Sequence, residues 1–371
     1  MISSLQILGY RGFERFEMAG LGRVNLLVGR NNSGKTSVLE AIHLLSSGGN
    51  PEVLWDILWR RGERLRPMPP SASGDPTAWQ PATELDVSHL FFGHTSEPGS
   101  KFRILAGDDP FEPRLECAIT PAPRTRENDG TPYADFLKGS GFVLKLEFRP
   151  PMDLSSLTRT IALSIGGGLR AEAIDRRIRS RPGQPQFISA ESSGEELAAM
   201  WNRIALTPSE DLVLKALQFL DAGIERVAVQ AGNGAYSPAQ ARSAFIVKRK
   251  GWDQPVPIGS MGDGMWRMLA LAIAITQCKG GVLLVDEIDT GLHYTAMSQM
   301  WNLIQNAARD FNVQVFATTH SYDCIHSLAK ICTGDSSASV TVQRVEQSKN
   351  RAVPYDESEI IAAAERDIEV L

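Results

Sequence analysis

Val24-Asn25-Leu26-Leu27-Val28, Gly29-Arg30-Asn31-Asn32-Ser33-Gly34-Lys35-Thr36 and Ser37-Val38-Leu39-Glu40-Ala41-Ile42-His43-Leu44-Leu45 follow one another without a gap. The middle octet is G-x-x-x-x-G-K-[ST], the phosphate-binding P-loop pattern. The run before it is short, apolar and β-prone, as a buried strand is. The run after it carries apolar residues at helical spacing and stops at Gly48-Gly49. Gly29 and Gly34 let the loop curl so that backbone N–H groups from Asn31 through Ser37 face a phosphate. The helix start adds its positive dipole end. Lys35 is then expected at the β- and γ-phosphates of ATP, and the Thr36 hydroxyl on Mg²⁺.

A second segment complements this one chemically. Gly281-Val282-Leu283-Leu284-Val285-Asp286-Glu287 is a hydrophobic strand ending in two carboxylates, a Walker B pattern. Asp286 is expected to hold the Mg²⁺ hydration shell beside Thr36, and Glu287 to act as general base toward the attacking water. A third apolar strand, Val313-Gln314-Val315-Phe316-Ala317-Thr318, delivers His320, placed to donate a hydrogen bond to the γ-phosphate. Upstream, Ile258-Gly259-Ser260-Met261-Gly262-Asp263-Gly264 opens an apolar helix over Met268–Thr276. Ser260 and Gly262 there form a further anion-binding nest. The P-loop already encloses its own phosphate, so this nest makes sense if it closes on ATP held by a second copy.

The remaining composition is ordinary. The chain has 371 residues, 43% hydrophobic and 22% charged, with a net charge of -5, which suits one large or two moderate domains with a sizeable core. That charge gives no global reason to expect nucleic acid, though it allows a local basic patch. Cys117, Cys278, Cys324 and Cys332 form no C-x-x-C pair, so neither a zinc site nor a disulfide framework is indicated. With no signal-peptide profile and no apolar run long enough for a bilayer, the expectation is a reduced, cytoplasmic protein without membrane contact.

Along the chain, residues 2–18 alternate as two strands around a Gly9–Gly12 turn. Arg11 in that turn either leans on the nucleotide or is a solvated turn arginine. Residues 67–82 read as a loop, segments near 85–92, 101–106, 114–120 and 142–148 as antiparallel strands, and 121–140 as a long excursion. Residues 151–240 read as a mostly helical insertion, with helices at Glu195–Ile204 and Ser209–Leu220. Ala244–Arg249 is a strand returning to the core, Ala338–Val345 is strand, and Glu357–Ile368 is a closing helix. Two basic runs, Arg60–Arg66 and Arg176–Arg181, could meet phosphates. The better reading for the second is a solvated helix face beside Glu172 and Asp175, and few aromatics interleave either run.

Together the P-loop, the serine–glycine signature, the Asp-Glu Walker B and the histidine resemble the ABC ATPase superfamily in its RecF/SMC-like branch. The match is most similar to the AAA-type ATPase half of OLD-family proteins. The opening Gly9-Tyr10-Arg11-Gly12-Phe13, the Asn31-Asn32-Ser33 loop interior, and Gly262-Asp263-Gly264 with Arg267 carry that resemblance, and it covers residues 1–95 and 240–350. Gly291-Leu292-His293 stands where transporters have an aspartate-bearing D-loop. The fold so implied is α/β: an ABC-ATPase head with a parallel P-loop core sheet and an antiparallel β subdomain, made of residues 1–150 and 241–371, with 151–240 inserted. The activity so implied is slow ATP hydrolysis in a homodimer or higher homo-oligomer that closes on ATP. No long coiled coil of the SMC kind is present, and no D-x-D pair of a TOPRIM nuclease follows His320. An effector, such as a TOPRIM or HNH nuclease, would therefore act in trans, in prokaryotic anti-phage defence or genome maintenance. Two other readings stand beside it: a RecF-like DNA-binding repair ATPase, and an ATP-bound scaffold that holds a toxic partner inactive.

Overall fold

The P-loop strand sits near the middle of one very broad sheet. In the computed structural model, which describes residues 1–65, 84–107, 112–122, 141–151, 155–174, 184–189, 194–230, 244–332 and 339–366, a hairpin of β1 (Leu5–Tyr10) and β2 (Phe13–Met18) precedes β3 (Val24–Val28). The phosphate loop leads into α1 (Lys35–Ser46), followed by α2 (Pro51–Arg60). Asn50 caps α2 by accepting from the Glu52 N–H at 3.1 Å, with Pro51 preset at the first helical position. A β-rich stretch follows: β4 (Glu84–Asp86), β5 (Lys101–Ala106), β6 (Arg114–Pro121), β7 (Phe142–Arg149), β8 (Leu157–Ala162), β9 (Gly168–Arg170) and β10 (Gln186–Ile188).

Then come α3 (Gly194–Ile204), α4 (Pro208–Gln218), β11 (Ile224–Val229), β12 (Phe245–Arg249) and β13 (Val256–Pro257). The chain finishes with α5 (Asp263–Gln277), β14 (Val282–Val285), α6 (Tyr294–Asp310), β15 (Gln314–Thr318) and α7 (Tyr322–Cys332), then β16 (Val340–Glu346), β17 (Arg351–Tyr355) and α8 (Glu357–Glu365).

Twelve strands form the sheet in the order β10-β14-β15-β3-β16-β17-β2-β1-β5-β6-β7-β8. From β10 to β16 all neighbours are parallel, and from β2 to β8 all are antiparallel. The expected parallel core and antiparallel subdomain are thus halves of one hydrogen-bonded sheet, joined through β17. Every residue of β3 and of β15 is buried, as a parallel sheet covered on both faces requires. Period-2 alternation divides the core in two. Val24, Leu26, Val28, Leu283, Val285, Val315 and Ala317 face α5, α6 and α7, whereas Leu27, Leu284 and Phe316 face α1, α2 and the antiparallel half.

Register then decides where the site lies. Val285 pairs with Ala317, and Thr318 with Leu27. The carboxyl ends of β3, β14 and β15 therefore stop at one level, and the segments that follow them emerge side by side at that edge. Such an edge is where open α/β sheets bind ligands.

Several expectations need correction. Residues 151–240 are not a mostly helical insertion: β8 and β10 are the two outer strands of the main sheet, and among the described residues of that range α3 and α4 are the α-helices, with one 3-10 turn at Ala171–Ala173. Leu157–Ala162 alternates too weakly to show, because it is an edge strand with exposed Leu157, and β10 has only three residues. Thr207, not Ser209, caps α4, and Pro208 sits at its first helical position. Ala244–Arg249 returns to a separate three-stranded sheet, β11-β12-β13, rather than to the main one. The loop at 67–82, most of the excursion at 121–140, Arg66, Arg176–Arg181 and the end of the closing helix lie outside the described residues. No helix among the described residues is long and apolar enough to cross a membrane.

Candidate active site

The first wall of the site is the P-loop itself. Gly34 has φ 94°, and a Cβ there would collide with the Phe13 ring, so the loop needs glycine both for its left-handed turn and for its fit on the β1–β2 hairpin. No side chain caps α1, whose first N–H groups are left for an anion. Lys35 is 5% exposed and folds back over the loop, its Nζ donating to the carbonyls of Gly29 (2.7 Å) and Arg30 (3.0 Å). Burial holds its ammonium down at about 8, against the pull of Asp286 and Glu287. Ser33 Oγ is buried without a hydrogen-bond partner, packed against Gly29.

The second wall is the end of β14. Thr36 Oγ1 donates to both Asp286 oxygens, at 3.0 and 3.3 Å. Thr318 Oγ1 donates to Asp286 Oδ1 at 2.6 Å and accepts the Glu287 N–H at 2.8 Å. Glu287 adopts φ 49°, a strained left-handed conformation that costs about 1–3 kcal/mol and persists only where its surroundings fix it. Its exposed carboxylate accepts from Thr290 Oγ1 at 3.1 Å. Thr319 Oγ1 donates to Asp289 Oδ1 at 2.6 Å, tying the next turn to the end of β15.

His320 completes the third wall. It is exposed, with Nδ1 3.5 Å from Lys35 Nζ. Partial burial and the Lys35 charge lower its pKa, so the ring is neutral near pH 7. With Nδ1 turned to an ammonium, the ring proton belongs on Nε2, the tautomer that can donate outward.

Ser260 and Gly262 lie elsewhere on the surface, both exposed at the start of α5. Gly262 has φ 96° and nothing near its missing Cβ, and the helix start has no side-chain cap. The helix begins at Asp263, five residues before the start expected from the apolar run. Arg11 belongs to neither of its expected places. It is 5% exposed, its Nε pairs with Glu40 and its Nη1 with Glu63, each at 2.7 Å, so it braces α1 from behind. A tight turn before Phe13 buries the position, and nothing in the local spacing distinguishes that from a solvated arginine.

The basic run at the end of α2 makes local contacts: Arg61 pairs with Glu40, Arg60 lies over Phe187 and Arg64 over the exposed Trp59, and Arg61 and Arg64 remain exposed. Two contributors escaped the sequence reading, Thr318 and Thr319. Their signal was available, since paired threonines at a strand end directly before a histidine are hydroxyls delivered to the sheet edge.

Residues 1–59 match a family model described as an AAA ATPase domain, and residues 203–323 one described as an AAA domain, putative AbiEii toxin, Type IV TA system. The first segment brings Lys35 and Thr36 and the second Asp286 and His320, which hydrogen bonds or close contacts join across the site, while Ser260, also in the second segment, is exposed at the start of α5.

Two separate segments of this chain thus resemble AAA-type ATPase domains.

The ATPase resembles a Helicobacter pylori protein named ATP/GTP phosphatase, 22% identical over 351 residues that make up 89% of this chain and 88% of that one. It is also similar to the DNA replication and repair protein RecF of Clostridioides difficile, 43% identical over 47 residues, 13% of each chain. Among solved structures it is similar to an SMC head bound to the C-winged helix domain of ScpA, with TM-score 0.47 and 14% identity over 96% of this chain and 98% of that one. The match over 203–323 also takes in α4, β11 and β12, within and beyond the range expected to be an insertion.

Proposed function

We propose that the ATPase is a switch in which two copies close on two ATP molecules, each held between the P-loop of one copy and the Ser260–Gly262 turn of the other. The single observation that carries this reading is the presence on one chain of the Lys35, Thr36, Asp286, Glu287 and His320 set together with a second, exposed and uncapped helix start at Ser260–Gly262. The Gly262 helix start is exposed, uncapped and open to a phosphate from outside. Lys35, with the N–H groups from Asn31 through Ser37, binds the phosphates.

The donor set suits Mg²⁺: a threonine hydroxyl and a carboxylate already in contact, oxygen only, leaving positions for water and phosphate oxygens. Among the described residues no cluster of three His, Cys, Asp or Glu side chains forms a protein-only metal cage. Thr36 and Asp286 would hold Mg²⁺, which when bound neutralises developing charge on the phosphates. Glu287 accepts the proton of the attacking water, and neutral His320 donates Nε2–H toward the terminal phosphate.

The finer reading adds a setting. The description of the family model over 203–323 names a toxin–antitoxin system, and on this reading the switch works in prokaryotic anti-phage defence on an effector, such as a nuclease, in another chain. A RecF-like role at DNA is the second reading: Arg60 stacks on Phe187, while Arg61 and Arg64 keep exposed surface beside Glu40 and Trp59. The test is steady-state phosphate release from ATP by wild type and Glu287→Gln, each with and without duplex DNA. The switch requires wild-type turnover that the variant loses and DNA leaves unchanged. Stimulation by DNA that fades with salt favours the repair reading. Turnover that is negligible and unaffected by the variant favours a scaffold.

A further inference from the structure

Arg267 is buried to 4% exposure in α5, five residues past Gly262, and its partners are unusual. One nitrogen, Nη2, donates to two successive backbone carbonyls, Asp286 O at 2.8 Å and Glu287 O at 2.7 Å. Its Nε is buried with no hydrogen-bond partner. A guanidinium so held is an expensive stabiliser: its desolvation is only partly offset by the two carbonyl bonds and by the charges of Asp289, Asp286 and Glu287. What the contact does is grip the carbonyl side of the turn in which Glu287 holds its left-handed backbone. The amide side of that turn is held separately, by Thr318. A second contact follows the same line, since Gly264 packs on the Gly291 carbonyl so closely that a Cβ there would sit 3.2 Å from the oxygen.

We propose that Arg267 is a positioning residue that sets the orientation of Glu287 and makes it depend on the placement of the α5 N-terminus. Occupation of the Ser260–Gly262 turn by the partner's phosphate is thereby felt at the base of this copy's own site. The inference rests on the reading of Glu287 as general base and of the turn as acting on a second copy.

Kinetics of the full chain test it. Arg267→Lys keeps the charge on a shorter side chain that withdraws the nitrogen bonded to both carbonyls, so kcat for ATP falls about tenfold or more while KM stays within about twofold. The melting temperature of the variant, measured alongside, stays near that of wild type. In the Glu287→Gln background the same change has no further effect on kcat, because there is no base left to orient. Effects that multiply, or KM and melting temperature moving in step with kcat, overturn the inference and leave Arg267 as mere packing. Wild-type turnover by Glu287→Gln alone overturns the underlying reading, and the inference with it, before any Arg267 variant is made. Should Arg267→Lys not fold, Gly264→Ala presses the same turn from the helix start and must show the same split.

Discussion

Thr36 and Asp286 stand 250 positions apart in the chain, and the Thr36 hydroxyl donates to Asp286 Oδ2 at 3.0 Å. The bond joins the helix after β3 to the end of β14, two strands separated in the sheet by β15. The bond holds the two oxygen donors side by side. Thr36→Ala and Asp286→Asn should each lower Mg²⁺-dependent turnover by about a hundredfold or more. The double variant should be little slower than either alone, since the pair acts as a unit. Phosphate release across a Mg²⁺ titration checks both.

Lys35 gives the pH dependence. Its ammonium is held down at about 8 by burial, so the free enzyme carries the phosphate-binding charge below that pH and loses it above. Bound phosphates favour the charged form, so above pH 8 binding takes up a proton and weakens as pH rises. kcat/KM, which reports the free enzyme, should fall above about pH 8, while kcat stays flatter. Lys35→Ala should weaken ATP binding by about tenfold or more at pH 7. Affinity measured by titration calorimetry from pH 6 to 9 gives the sign directly.

Thr318 shows what a single hydroxyl does at the sheet edge. Thr318→Val removes the donor to Asp286 and the acceptor for the Glu287 N–H together. The unfolding free energy should drop by about 1–3 kcal/mol, the cost of leaving such groups unpaired. kcat should fall with it, because the strained turn loses a support. Urea unfolding and initial rates on one preparation separate the two effects.

Arg11 should behave as structure rather than site. Glu40 lies between Arg11 and Arg61 and is 3% exposed, so Arg11→Ala leaves a buried carboxylate with half its charge compensation. A loss of about 3–5 kcal/mol is expected. The folded fraction should keep its KM for ATP nearly unchanged. A large rise in KM at unchanged stability would put the guanidinium on the nucleotide.

These cases mark what the sequence could reveal. Lys35, Thr36, Asp286 and His320 were legible because each follows a strand whose apolar run announces it, and parallel register brings strand ends to one level. Ser260 and Gly262 were legible as a helix start. Arg11 was not, because a buried ion pair depends on Glu40 and Glu63, which nothing local ties to it. β8 and β10 were not, because edge strands of weak alternation owe their form to a neighbour far along the chain. The joining of the two half-sheets through β17 was likewise hidden, resting on the Arg351–Glu17 pairing.

The switch itself is tested most directly by the mass in solution of Glu287→Gln with and without ATP and Mg²⁺, read by light scattering behind gel filtration. With the base removed, ATP should persist and hold two chains together, so the mass doubles on ATP and returns when ATP is removed. Gly262→Asp in the same background places a carboxylate where the partner's phosphate must sit, and should keep one chain's mass throughout. A Glu287→Gln protein that binds ATP and stays at the mass of one chain contradicts the two-copy clamp.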